Sequence, residues 1–161
     1  MEPTKPLEQH RWLQQLVGEW TMEGEADMGP GEPTSHSTGT ESVRMLGELW
    51  AVLEGQAQMP AGGDTGHMRM TLGYDPNRQA FVGNWVGSMM TLMWVYQGQL
   101  DPAGKVLTLD TEGPSFAGDG KTVRYQDVIT LVDAHTRTLH SQTLGEDGQW
   151  KRFMTATYKR Q

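Results

Sequence analysis

Three polar side chains near the end of the sequence could do chemistry inside a folded domain. Asp127, Gln142 and Arg152 fall in three successive strand-like segments, so antiparallel pairing would align them as a polar row across one face. A buried carboxylate and a buried guanidinium need each other, because an unpaired buried charge is costly. Two interpretations stay open. The row orients the polar head of a ligand, or Asp127 and Arg152 form a plain internal ion pair or face outward.

Acid–base chemistry is a second option for the same region, with Asp127 or His140 as the base of an isomerase or hydrolase. The sequence contains neither a Gly-x-Ser-x-Gly elbow nor a phosphate-binding P-loop, and Ser88 has no evident base or oxyanion hole. The histidines lack metal-site spacing, since His135 and His140 fall on opposite faces of a strand. We therefore expect no metal and no cofactor, and we favour binding over catalysis.

Hairpin register decides which side chains share a face with Asp127. A four-residue loop at 133–136 pairs Val132 with Arg137, which places Asp127 opposite Gln142. The same register places Ile129 opposite His140.

The last turn allows two registers with opposite consequences. A two-residue turn, Asp147-Gly148, puts Met154 on the face away from Asp127, whereas a three-residue loop at 146–148 with Gly148 left-handed reverses that parity. The three-residue loop pairs Gln142 with Arg152 and His140 with Met154. We prefer it because it gathers the large apolar groups of this region on one face: Tyr125, Ile129, Leu131, Trp150 and Met154.

Further aromatic and methionine side chains are expected to point into the same interior. In the first strand, period-two alternation places Trp20, Met22, Gly24, Ala26 and Met28 on one face. In a strand at 90–98 the shared face carries Met90, Leu92, Trp94 and Tyr96. Trp85 joins them from the preceding strand. Methionine adapts to variable apolar shapes, so these residues are typical of a ligand-binding lumen as well as of a core.

The elements that must position these side chains are about ten short strand-like segments separated by turns rich in Gly, Pro and Asp. This pattern predicts an all-β fold, an antiparallel up-and-down barrel at about 19–159. The remaining segments are expected near 38–46, 49–59, 67–74, 79–86, 105–112, 121–132, 137–145 and 149–159, with flexible loops at 29–37, 60–66 and 113–120. A helix at about 6–17, capped by Thr4 and stopped by Gly18, is expected to close one end.

Composition bounds the class of protein. A length of 161 residues fits a single domain, 1–161. A net charge of −7 disfavours nucleic acid as a partner. No apolar run is long enough for a membrane span, and the N-terminal residues lack a secretory apolar stretch, so we expect a cytoplasmic protein. The oligomeric state stays open, with a homodimer as one option.

Several motifs resemble one family over nearly the whole chain. LQQLVGEW (13–20), LGYDPNRQAFVGNWVGSM (72–89), GKTVRYQDVITLVD (120–133) and GEDGQWKRFMTATYKR (145–160) are similar to the domain-of-unknown-function 1579 family. That family resembles the calycin-like barrels, which include lipocalins, fatty-acid-binding proteins and nitrobindins. The resemblance implies a barrel with an apolar ligand or haem as cargo. It transfers no catalytic residue, because fold does not confer function.

The sequence therefore predicts binding of a small apolar or amphiphilic molecule in the barrel lumen. The alternatives are an enzyme using the lumen, a haem protein with His140 as the iron ligand, and a structural or interaction module with a filled barrel. The candidate lumen residues are Trp20, Met22, Trp85, Met90, Trp94, Tyr96, Tyr125, Asp127, His140, Gln142, Arg152 and Met154.

Overall fold

A computed structural model describes residues 2–58 and 63–161, and their ten strands close into one antiparallel barrel. Each strand pairs with its neighbours in the sequence, and the first pairs with the last. The strands are β1 (Gly18–Ala26), β2 (Ser35–Leu46), β3 (Trp50–Gln58), β4 (Thr65–Asp75), β5 (Ala80–Gly87), β6 (Trp94–Leu100), β7 (Val106–Pro114), β8 (Thr122–Asp133), β9 (Thr136–Leu144) and β10 (Trp150–Arg160). The predicted fold class is confirmed. The predicted loop at 60–66 and the end of the strand at 49–59 lie partly outside the described residues.

The N-terminal helix is shorter than predicted and is capped differently. Helix α1 (Glu8–Leu13) is followed by a 3-10 turn at Gln14–Leu16. Thr4 is not the cap. The N-cap residue is Leu7, and its amide donates to Nδ1 of His10 at 2.9 Å, so the helix begins at Glu8. Gly18 does not end the helix but starts β1, with a φ of 141°.

This helix closes one end of the barrel, as expected. Trp12, Leu13 and Leu16 are buried. The indole Nε1 of Trp12 donates to the carbonyl of Gly104 at 2.7 Å, in the loop between β6 and β7. Arg160 then fixes the turn, because its guanidinium donates to the carbonyls of Gln15 and Val17. No helix among the residues described is long and apolar enough to cross a membrane.

A bulge at Val132 makes the predicted register between β8 and β9 wrong by one residue. The predicted four-residue loop at 133–136 is a two-residue turn, because Asp133 and Thr136 pair with each other. Asp133 accepts a hydrogen bond from the amide of His135 at 2.8 Å, which tightens this turn. One extra residue, Val132, is then left out of the ladder and Leu131 pairs with Arg137. Every later pair is shifted, so that Asp127 lies opposite Ser141, Ile129 opposite Leu139, and Val128 opposite His140.

The last hairpin has the three-residue loop that we preferred, but a second bulge follows it. Gly148 is left-handed, with φ 77°, and Gln142 pairs with Arg152 as predicted. The register then shifts between Arg152 and Met154, so Met154 pairs with Ser141 and not with His140. The shift sends Met154 inward while Arg152 stays on the outer face.

Three further strand predictions need correction. Met28 lies beyond the end of β1 and is 56% exposed, so it does not share the inner face. β6 begins only at Trp94, so Met90 and Leu92 belong to the preceding loop. Trp150, which we placed in the lumen, shares the outer face with Arg152 and lies under the guanidinium of Arg124, at 5.9 Å.

Candidate functional site

The barrel encloses a cavity of about 340 Å³ that opens at the end opposite α1. Loops between β5 and β6 and between β7 and β8 bring Met89, Met90 and Phe116 to its mouth, and all three are exposed. Eight of the twelve predicted lumen residues line it: Met22, Trp85, Met90, Trp94, Tyr96, Tyr125, Asp127 and Met154. Its size falls within the range of small-molecule pockets, roughly 300–1,000 Å³.

Asp127 lies on the cavity wall between two hydroxyl groups. The Tyr96 hydroxyl donates to its Oδ2, and the Ser141 hydroxyl donates to its Oδ1 at 2.5 Å. Burial raises the pKa of Asp127 above its ordinary value, and the Ser141 and Tyr96 hydrogen bonds lower it less. The residue keeps partial accessibility because the cavity lies against it. The arrangement therefore offers a polar contact in a mainly apolar space.

The second polar feature of the cavity is an ion pair that the sequence did not reveal. Arg137 on β9 donates through Nη2 to Glu41 on β2, and their side chains are 2% and 12% exposed. The rings of Tyr158 and Trp20 lie 4.0 and 4.7 Å from the guanidinium carbon. Burial raises the pKa of Glu41, and this effect outweighs the attraction of Arg137, which lowers it.

Two buried polar atoms among the described residues have no hydrogen-bond partner. They are Oγ1 of Thr111 and Nε of Arg137, and both residues line the cavity. Buried polar groups are nearly always paired, so these two atoms are exceptions. Both have almost no accessible surface, so a molecule in the cavity does not contact them directly.

An aromatic cluster narrows the mouth. The ring of Tyr125 meets those of Trp94 and Phe116 edge-on, at 5.1 and 5.4 Å between centroids, and Phe116 meets Phe153 at 5.1 Å. The Tyr125 hydroxyl donates to the carbonyl of Pro114 at 2.6 Å, which fixes its ring. The cluster gives the entrance flat apolar walls.

The other four predicted lumen residues lie elsewhere. Trp20 is 2% exposed but does not line the cavity: it packs beneath Arg137, and its indole donates to the carbonyl of Leu16. His140, Gln142 and Arg152 face outward because of the two bulges. The polar row predicted inside is therefore replaced by an outer one, in which Gln142 donates to Gln126 at 2.7 Å and Gln126 donates to Asp110 at 2.9 Å.

The position of His140 does not allow it to bind an iron ion inside the barrel. His140 lies on the outer face, where burial and then the nearby charge of Arg152 lower its pKa. Among the residues described, no histidine lines the cavity and no group of three metal-ligating side chains is present. The cavity therefore does not fit a histidine-ligated haem.

Glu41, Arg137 and Ser141 are the residues of the candidate site that sequence reasoning missed. Arg137, Leu139 and Ser141 lie two residues apart along β9, so the sequence does indicate that they share one face of the strand. The bulge at Val132 decides that this face points inward, and no sequence signal located that bulge. Glu41 lies among polar residues of β2, where alternation is weak.

The chain is similar to a family model over most of its length. The model described as "Protein of unknown function (DUF1579)" matches residues 5–160. A search of curated proteins gave no match.

Solved structures with a similar fold include three barrels. Rv2717c from M. tuberculosis is 13% identical with a TM-score of 0.67, and the alignment covers 98% of this chain and 99% of that one. The S-type phycobiliprotein lyase CPES from Guillardia theta is 10% identical with a TM-score of 0.65, over 97% and 98%. A redesigned beta barrel, mFAP0, bound to DFHBI, is 15% identical with a TM-score of 0.50, over 91% and 100%. At these identities the similarity is one of fold.

Proposed function

We propose that this chain, which belongs to the DUF1579 family of proteins of unknown function, binds a small, mainly apolar molecule inside its barrel. One observation carries the proposal: a cavity of about 340 Å³ combines aromatic and methionine walls with a few buried polar groups. Binding sites for small molecules have this composition, with apolar walls for affinity and a few polar atoms for orientation.

The route into the cavity supports the same proposal. Met89, Met90 and Phe116 are exposed at the mouth and continue into Trp94 and Tyr125 on the wall. Apolar side chains exposed at one site are typical of interaction sites. A filled barrel, as a purely structural module would have, leaves no such space. The neighbour mFAP0 holds DFHBI, so a closed barrel of similar fold is compatible with a bound molecule.

Native mass spectrometry of freshly purified protein, with tryptophan fluorescence titrations of apolar aromatic and aliphatic compounds, tests the proposal. Trp85 and Trp94 line the cavity, so occupancy should change their emission. We expect a bound mass or saturable quenching. Neither result with any apolar compound would refute the proposal.

Two neighbouring residues on β10 provide a matched pair of variants. Met154 lines the cavity, whereas Thr155, the next residue along the strand, faces outward. Met154→Trp should fill the lumen and abolish binding, and Thr155→Trp adds the same ring outside and should leave binding intact. Met22→Phe fills the lumen by less and serves if Met154→Trp does not fold. Equal affinities in both tryptophan variants would place the binding site outside the lumen.

Acid–base catalysis in the same lumen is a second candidate, favoured by the carboxyl group of Asp127. Its raised pKa and its contact with the Tyr96 hydroxyl are features of proton-transfer sites. A substrate screen should then find turnover that Asp127→Asn abolishes. Turnover unchanged in this variant would exclude Asp127 as the base.

A further inference from the structure

The deep part of the cavity carries more negative than positive charge. Its acidic and basic side chains are Glu41, Asp127 and Arg137, within the part of the chain described, while Glu25 and Arg69 lie at the exposed rim. Glu41 already neutralises Arg137, so the charge of Asp127 has no counter-ion there. Burial raises the pKa of both carboxyl groups, as expected where added negative charge is poorly solvated.

Arg137 is poorly placed to receive the carboxylate of a ligand. One terminal nitrogen donates to Glu41, and the rings of Tyr158 and Trp20 lie against the guanidinium. Bidentate recognition of a carboxylate requires two free parallel N–H groups. An entering carboxylate would have to displace Glu41 and would also lie in the field of Asp127.

The polar group of the wall that a ligand can reach is Asp127, and it suits an uncharged partner. Asp127 is half-buried against the cavity, between the Tyr96 and Ser141 hydroxyls. Each oxygen of its carboxylate has a further lone pair, which can accept a hydrogen bond from a ligand hydroxyl. A ketone carbonyl makes no such bond, but it brings no charge next to Asp127.

We infer, on the basis of the proposed function, that the cavity binds a mainly apolar molecule with a hydroxyl or carbonyl group in preference to the matching carboxylate. Like charges brought together in a binding site weaken the complex strongly. Among the described residues that line the cavity, Arg137 is paired with Glu41 and Arg69 with Glu54, so neither offsets the charge of Asp127. The selection therefore depends on Asp127, and the apolar wall does not discriminate between the head groups.

Four probes of one chain length test this selection by titration calorimetry at neutral pH: 1-octanol, 2-octanone, octanoate and octylamine. We expect the alcohol and the ketone to bind about tenfold or more tightly than octanoate, a difference of about 1.4 kcal/mol. Asp127→Asn should reduce this gap severalfold. Asp110→Asn removes the same charge from the outer wall of β7 and should leave the gap unchanged.

The outcomes separate the inference from the proposed function. Octanoate binding as tightly as octanol, or octylamine binding no more tightly than octanoate, overturns the inference and leaves lumen binding intact. A gap unchanged in Asp127→Asn overturns the role of Asp127. Failure of all four probes while aromatic compounds bind also overturns the inference alone, and failure of every apolar compound overturns both.

Discussion

Replacing Glu41 by Gln tests whether Arg137 is held in a dry interior. The two side chains come from β2 and β9, and they are 12% and 2% exposed. The variant keeps the shape of Glu41 and removes its charge. Arg137 would then remain buried, between two aromatic rings, with no carboxylate beside its terminal nitrogen.

The expected loss of stability is large. Removing one partner of a buried ion pair costs about 3–5 kcal/mol, because the remaining charge is uncompensated. In a domain of this length each kcal/mol lowers Tm by about 2–4 °C, so Glu41→Gln should lower Tm by roughly 6–20 °C. Thermal unfolding followed by circular dichroism measures this shift.

Two further variants make the result interpretable. Glu54→Gln removes a carboxylate from an exposed pair, in which Glu54 accepts from Arg69 at 2.9 Å, and it should change Tm much less. Because burial outweighs attraction at Glu41, the pair is not itself a strong stabiliser. Removing both charges in Glu41→Gln with Arg137→Met should therefore restore much of the loss. A Glu41→Gln shift no larger than that of Glu54→Gln would refute the dry interior.

Three further outcomes are expected. Burial raises the pKa of Asp127 above 3.8, so the folded state binds this proton more readily than the unfolded chain. The protonated carboxyl group therefore stabilises the fold below pH 3.8, and this stabilisation is lost as the pH rises through the raised pKa. The Tm of the wild type should thus fall relative to Asp127→Asn over this window, and parallel Tm–pH curves would contradict the assignment. A Cβ at Gly113 would lie 2.3 Å from the ring of Trp94, so Gly113→Ala should cost about 1–3 kcal/mol and shift tryptophan emission; unchanged emission would mean that the ring does not pack there. Arg152→Ala should change the free energy of unfolding by less than about 0.5 kcal/mol in denaturant titrations, since Arg152 is exposed, and a loss of several kcal/mol would place it inside after all.

Turn chemistry made much of the fold predictable. The loop at 146–148 follows from the left-handed preference of Gly148. The turn between β8 and β9 was placed correctly along the sequence, although it has two residues and not the predicted four. Alternation of apolar residues then located the strands to within a few residues, apart from the start of β6. Both signals are local, so a single sequence carries them.

Bulges and long-range pairs were not predictable in this way. One extra residue at Val132 reverses the faces of β9, and local sequence does not encode where a closing barrel needs that curvature. Glu41 and Arg137 meet although 96 residues separate them in sequence. Three of the predicted site residues, His140, Gln142 and Arg152, were assigned to the wrong face because the bulges were not foreseen. The ion pair was missed because its two partners are far apart in sequence.

The pairing of β1 with β10 has a kinetic consequence. Arg160 contacts the carbonyl of Val17 across 143 residues of sequence. The pairing of β1 with β10, which closes the barrel, therefore forms only after nearly all of this sequence has emerged from the ribosome. Loops that long close slowly, and folding should be correspondingly slow. Until that seam forms, Asp127 and Arg137 are in contact with water.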